Sequence, residues 1–126
     1  MAEKAFGAIE LGGTKTFVLI AKDRSKIYSR KIFPTLSPNQ TIKDISNYFQ
    51  EQANTFDVKL ESIGIGSFGP LDLDPESKTF GYITSTPKLE WRFTNLKGKI
   101  EDTLQTPVTI DTDVNASALG EFQSLL

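Results

Sequence analysis

At 126 residues, with 38% hydrophobic, 24% charged and 10% aromatic positions, the chain has the length of one domain and the composition of a soluble, globular one. Its net charge of −2, with 14 Lys and Arg scattered rather than clustered, argues against nucleic acid as a partner. With no Cys and no His, disulfides, thiolate catalysis, Cys-based zinc sites and the commonest general base are excluded, leaving carboxylates and Lys for acid–base chemistry.

No apolar run is long enough to span a membrane, and Met1-Ala2-Glu3-Lys4 opens without the apolar stretch of a signal peptide, so the expectation is a cytoplasmic protein with no membrane partner. Ala5 to Glu10 is a short apolar run that meets Gly12-Gly13, and a second run follows from Thr16 to Ala21. This reads as strand, tight glycine turn, strand. Asp23-Arg24-Ser25-Lys26 makes a polar turn before a third run, Ile27 to Phe33, which Pro34 terminates. The three runs predict an antiparallel meander.

Ser37 is placed as a helix N-cap, with Pro38 at the first helical position and Gln40 at the capping-box position. Ile42, Ile45, Phe49 and Ala53 then share one face of a helix running to about Ala53. Ile63 to Gly66, after Leu60, reads as a compact buried strand stopped by Gly69-Pro70. Leu71 to Trp91 is expected to be irregular, with turns at Asp74-Pro75 and Thr86-Pro87. A second helix is predicted over Thr94 to Leu104, where Leu96, Ile100 and Leu104 recur at a spacing of four. Val108 to Asp111 reads as a last strand, and Ala116 to Leu126 as a third helix with Leu119, Phe122 and Leu126 on one face. The order β-β-β-α-β-α-β-α predicts a single α/β domain. Its sheet is mixed, because the later strands need crossover connections and are therefore parallel.

Four segments carry candidate chemistry, and each also has a purely architectural reading. Glu10-Leu11-Gly12-Gly13-Thr14-Lys15 lets bare backbone N–H groups approach an anion, with Thr14 adding a hydroxyl and Lys15 a charge; it equally suits a glycine hairpin turn. It is not a Walker A loop, since Gly13 stands where that pattern needs Lys and a strand rather than a helix follows. Asp111-Thr112-Asp113-Val114-Asn115 sits where the last strand gives way to the last helix, the place where ligands collect in open α/β sheets. A carboxylate there can accept a proton from a substrate hydroxyl, and Asp113 or Asn115 can equally cap the helix. In Gly64-Ile65-Gly66-Ser67-Phe68-Gly69-Pro70 the glycines and the Ser67 hydroxyl would meet a small ligand, or simply end a strand. Gly81 to Trp91 combines hydroxyls with Tyr82 and Trp91, suiting a polyhydroxylated ligand or a loop anchored by its rings. For Trp91 itself the anchoring reading is favoured.

In this order the segments resemble the ROK family of sugar kinases and repressors, specifically its bacterial fructokinase branch, across essentially the entire chain. Glu10 to Lys15 is similar to that family's first phosphate motif. Gly66 to Pro70 resembles its sugar-domain strand and turn, Tyr82 to Trp91 its fructokinase loop, and Asp111 to Asn115 its Asn-Asp-x-Asn segment before the central helix. The resemblance implies a ribonuclease H-like (actin-like ATPase) domain, residues 1–126 being the N-terminal, sugar-side lobe of a two-domain kinase whose C-terminal lobe is absent. It implies ATP-dependent phosphorylation of a hexose, fructose to fructose 6-phosphate, by a cytoplasmic homodimer in the complete protein, with the fragment alone inactive.

Carried over residue by residue, the resemblance makes Asp113 the general base. Gly12, Gly13, Thr14 and Lys15 would lie against the ATP phosphates, and Ser67, Gly69, Thr86, Thr112 and Asn115 near the sugar. Glu10, where the family usually has Asp, would help hold Mg²⁺ through water. Thr112 stands where Asn is common. Zinc would belong to the absent lobe and not to this chain. The alternative within the family is a sugar-sensing regulator or a non-catalytic protein; such repressors carry a DNA-binding helix-turn-helix ahead of the kinase body, for which a first strand at about Ala5 leaves no room.

Overall fold

The structure, a computed structural model, describes residues 2–23 and 25–112. Strands β1 (Glu3–Leu11), β2 (Lys15–Asp23) and β3 (Lys26–Pro34) form the expected meander. Helix α1 (Pro38–Thr55), strand β4 (Val58–Ser67), helix α2 (Leu96–Leu104) and strand β5 (Val108–Asp111) complete it. The sheet order is β3-β2-β1-β4-β5. β1 is antiparallel to β2 and parallel to β4, and β5 is parallel to β4, so the parallel portion is the β1-β4-β5 half.

Alternation along the strands divides the sheet into two faces. Ile9, Val18, Ile20, Ile63 and Ile65 bury one face in a single core with Ile42, Ile45 and Phe49 of α1 and Leu96 and Ile100 of α2. The apolar stripes read from the sequence are therefore the ones that dock these helices. On the opposite face Ala8 and Leu19 are buried, with Ile27 packed against them.

Several boundaries differ from the sequence reading: the first strand begins two residues earlier, at Glu3, the second runs to Asp23, and Pro34 is the last residue of the third, paired with Lys15. β4 starts at Val58, not Ile63, because Val58, Lys59 and Leu60 continue the apolar–polar alternation and pair with Glu3, Lys4 and Ala5 of β1, Glu61 forming a bulge before Ser62 pairs with Phe6. α2 starts at Leu96 because Thr94 exchanges both backbone hydrogen bonds with Ile83, at 3.1 and 2.9 Å. Asn95 then caps the helix, its side chain accepting from Gly98 N at 3.0 Å. Ser37 does cap α1, accepting from Gln40 N at 3.3 Å, but Gln40 donates to Asp44 instead of closing a capping box. α1 also runs two residues beyond the expected Ala53, to Thr55.

The stretch between β4 and α2 has more order than an irregular loop. Ile83, fully buried, bridges Leu71 on one side and Thr94 on the other, and Leu89–Trp91 forms a short 3₁₀ turn. The third helix expected over Ala116 to Leu126 lies outside the described residues. Among the described residues no helix is long and apolar enough to cross a membrane.

Candidate functional site

The parallel pairing puts the carboxyl ends of β1, β4 and β5 side by side, with Glu10, Gly66 and Asp111 in one register row and Leu11 opposite Ser67 in the next. All four candidate segments run off this edge or fold against it. Phe68 N donates to Leu11 O at 3.0 Å, tying the β4 end to the β1 end. A Cβ placed on Gly69 would stand 3.3 Å from Thr112 Cγ2, so the β5 end meets the Gly69-Pro70 turn. Gly69 thus serves close approach between two strand exits.

The Gly12–Thr14 turn is pinned from outside by a residue that sequence reasoning missed. Thr35, just past β3, donates its hydroxyl to Gly12 O at 2.8 Å and its N–H to Thr14 O at 2.9 Å. Because that hydroxyl proton is committed, the buried Thr16 is the donor in the 2.8 Å hydrogen bond between Thr16 Oγ1 and Thr35 Oγ1. Across the turn, Gly12 N donates to Lys15 O at 2.9 Å. The two glycines differ in what they permit. A Cβ on Gly12 would fall 2.8 Å from Lys15 O, whereas one on Gly13 would meet only Lys88 Cδ, at an ordinary 3.8 Å. Nothing in the described backbone or packing demands glycine at position 13. Among the described residues, the N–H groups of Gly13 and Thr14 find no protein acceptor. Those exposed donors and the bare Cα fit an anion such as a nucleotide phosphate.

The Gly81–Trp91 loop lies against this turn through Lys88 and is fixed by its own core. Trp91 is fully buried, donates Nε1–H to Leu36 O at 3.0 Å, and packs edge-on against Phe68 with centroids 5.7 Å apart. Trp91 is therefore the anchor that the sequence suggested, while Tyr82 remains half-buried and Ile83 is the second anchor. Thr86 is buried too, its hydroxyl accepting from Lys88 N at 3.4 Å and its carbonyl from Arg92 Nε at 2.9 Å. Ser67 is likewise buried and donates to Phe68 O at 2.8 Å. In this arrangement both hydroxyls hold the loop ends. Further along, Asp72 accepts from the hydroxyls of Ser77 and Thr79, which holds its carboxyl below the usual carboxylate range.

Glu10 and Asp111 share a sheet face, because paired residues of parallel strands point the same way. Gly66, which is buried, lies between them in the register row, and both carboxylates are partly exposed. Among the described residues no group of three or more His, Cys, Asp or Glu side chains could hold a metal by itself. Because β4 lies between their strands, Glu10 and Asp111 would hold a Mg²⁺ ion only through its water. Asp113 and Asn115 lie outside the described residues, directly beyond Thr112.

The mixed β3-β2-β1-β4-β5 sheet, with its candidate site at the carboxyl ends of the parallel strands, has the ribonuclease H-like (actin-like) fold. The ROK family model matches residues 6–125, and the chain belongs to the ROK family. It is 44% identical over 119 residues to a fructokinase of Lactococcus lactis subsp. cremoris, and 43% identical over 116 residues to a putative fructokinase of Bacillus subtilis. The alignments cover 94% and 92% of this chain but only 39% and 37% of those relatives. The chain thus spans less than half the length of the curated relatives it matches. Among solved structures, the ROK hexokinase from Thermus thermophilus superposes with a TM-score of 0.69 at 23% identity, covering 89% of this chain and 36% of that one.

Proposed function

We propose that this chain is the N-terminal, sugar-side lobe of a two-domain kinase that phosphorylates a hexose from ATP, converting fructose to fructose 6-phosphate. One observation carries the reading: a turn with bare N–H groups follows β1, and the carboxylates of Glu10 and Asp111 stand in one register row at the carboxyl ends of β1 and β5, on either side of β4. The fructokinase relatives supply the choice of sugar.

In this reading the Gly12–Thr14 turn and Lys15 bind the ATP phosphates, and Glu10 and Asp111 would hold Mg²⁺ through water. Bound MgATP supplies the phosphoryl group and neutralises its charge. Thr112, Asn115 and Gly69 line the sugar side, with Ser67 and Thr86 shaping it. Asp113 takes the proton from the attacking sugar hydroxyl as the new P–O bond forms and the bond to ADP breaks. The complete enzyme works in the cytoplasm as a homodimer, and zinc, where present, belongs to the second lobe.

A coupled assay of the full-length protein with fructose and MgATP tests this reading. Hexose-dependent ADP release is expected from the full-length protein and none above background from residues 1–126. Half of a two-domain cleft cannot position both substrates. A full-length protein without hexose-dependent turnover refutes the kinase, and turnover by the fragment refutes the half-site.

A further inference from the structure

Resting on the kinase reading, we propose that Lys88 is a second cation of the nucleotide site, its ammonium binding the phosphate that lies on the Gly12–Thr14 turn. The first argument is position. Lys88 Cδ lies 3.8 Å from where a Gly13 Cβ would stand, and the ammonium extends beyond Cδ by a single methylene. An anion held by the Gly13 and Thr14 N–H groups is therefore within its reach. A Cβ at position 13 would stand beside the Lys88 stem, on the approach to the same N–H groups.

The second argument is that the side chain stands on a rigid base and, among the described residues, forms no ion pair. Lys88 N donates to the buried Thr86 hydroxyl, and Lys88 O accepts from Trp91 N at 2.9 Å. The backbone carrying the side chain is thus fastened at both ends, which lowers the ordering cost of binding. The side chain itself is exposed, and among the described residues its ammonium has no carboxylate partner.

The third argument is complementarity with Lys15. Lys15 begins β2 on the sheet face shared by Glu10 and Phe17, opposite to the core-facing Thr16 and Val18. Lys88 arrives from a loop whose Trp91 packs into the core on the α1 and α2 face. The turn thus has one cation on each side, so a bound phosphate would be charge-balanced without crowding either ammonium. Lys88 moves no proton in this role; it only offsets phosphate charge.

The test compares Lys88→Met and Lys88→Arg with wild type in the full-length protein, using ATP kinetics and calorimetric binding of pyrophosphate as readouts. Lys88→Met is expected to lower kcat/KM for ATP and weaken pyrophosphate binding by about tenfold to a hundredfold, the loss of one hydrogen bond to a charged group. Fructose affinity and Tm should stay at wild-type values, and Lys88→Arg should recover most of the loss. Wild-type pyrophosphate affinity in Lys88→Met overturns the proposal. So does an equal loss in both variants with a lowered Tm, which would mark Lys88 as structural. Absence of turnover in wild type would refute the kinase reading alone, because pyrophosphate binding still reports on Lys88.

Discussion

At the residue scale, adjacent glycines at positions 12 and 13 do different work, and the difference is measurable. A methyl group at Gly12 would sit 2.8 Å from the Lys15 carbonyl, inside a turn that Thr35 fixes at both ends. Gly12→Ala in the full-length protein should therefore destabilise it by about 1–3 kcal/mol, the ordinary cost of overpacking. The same methyl at Gly13 meets only an ordinary contact, so Gly13→Ala should change stability by less than about 0.5 kcal/mol. It should nonetheless raise KM for ATP several-fold, since it fills the approach to the N–H donors. Urea denaturation alongside ATP kinetics separates the two. If Gly13→Ala lowers stability as much as Gly12→Ala and leaves KM unchanged, the anion site is misplaced. The dipeptide was legible in sequence as a special turn. Which glycine is steric and which is open was not, because the turn that brings the Lys15 carbonyl onto Gly12 is held by Thr35, and Gly13 faces Lys88, both distant in the chain.

At the element scale, periodicity carried what depends on burial and lost what depends on backbone competition. Ile42, Ile45 and Phe49 read as a buried helical stripe and are one. Thr94 read as helical and is not, because Ile83 engages its N–H and C=O in a bridge no local pattern encodes. The ten-residue length of β4 was half hidden for a similar reason. Its polar residue Lys59 and the bulged Glu61 look like a loop until β1 is placed beside them. The long connection before α2 depends on Trp91, which joins the Leu36 carbonyl, the Phe68 ring and the Lys88 turn. Trp91→Ala should cost about 3–5 kcal/mol, as for other large-to-small aromatic changes in cores. Because Lys88 hangs from the same turn, KM for ATP should rise with it. A Trp91→Ala protein with wild-type stability by chemical denaturation would show that the loop is fastened elsewhere.

At the scale of the whole molecule, the β3-β2-β1-β4-β5 sheet explains why residues separated along the chain converge: parallel β1, β4 and β5 end on one edge, and their loops leave together. The order of motifs made the family legible where each motif alone was ambiguous, because order specifies which strand ends become neighbours. The geometry around Asp113 was not legible in that way and lies outside the described residues. The chain also aligns to only 39% of its Lactococcus relative. The claim that the edge beyond β5 performs phosphoryl transfer to a sugar rests most directly on Asp113→Asn in the full-length protein. Removing a general base while keeping its shape should lower kcat with fructose and MgATP by about a hundredfold to ten-thousandfold, with the fructose Kd nearly unchanged by calorimetry. An unchanged kcat in that variant would contradict it.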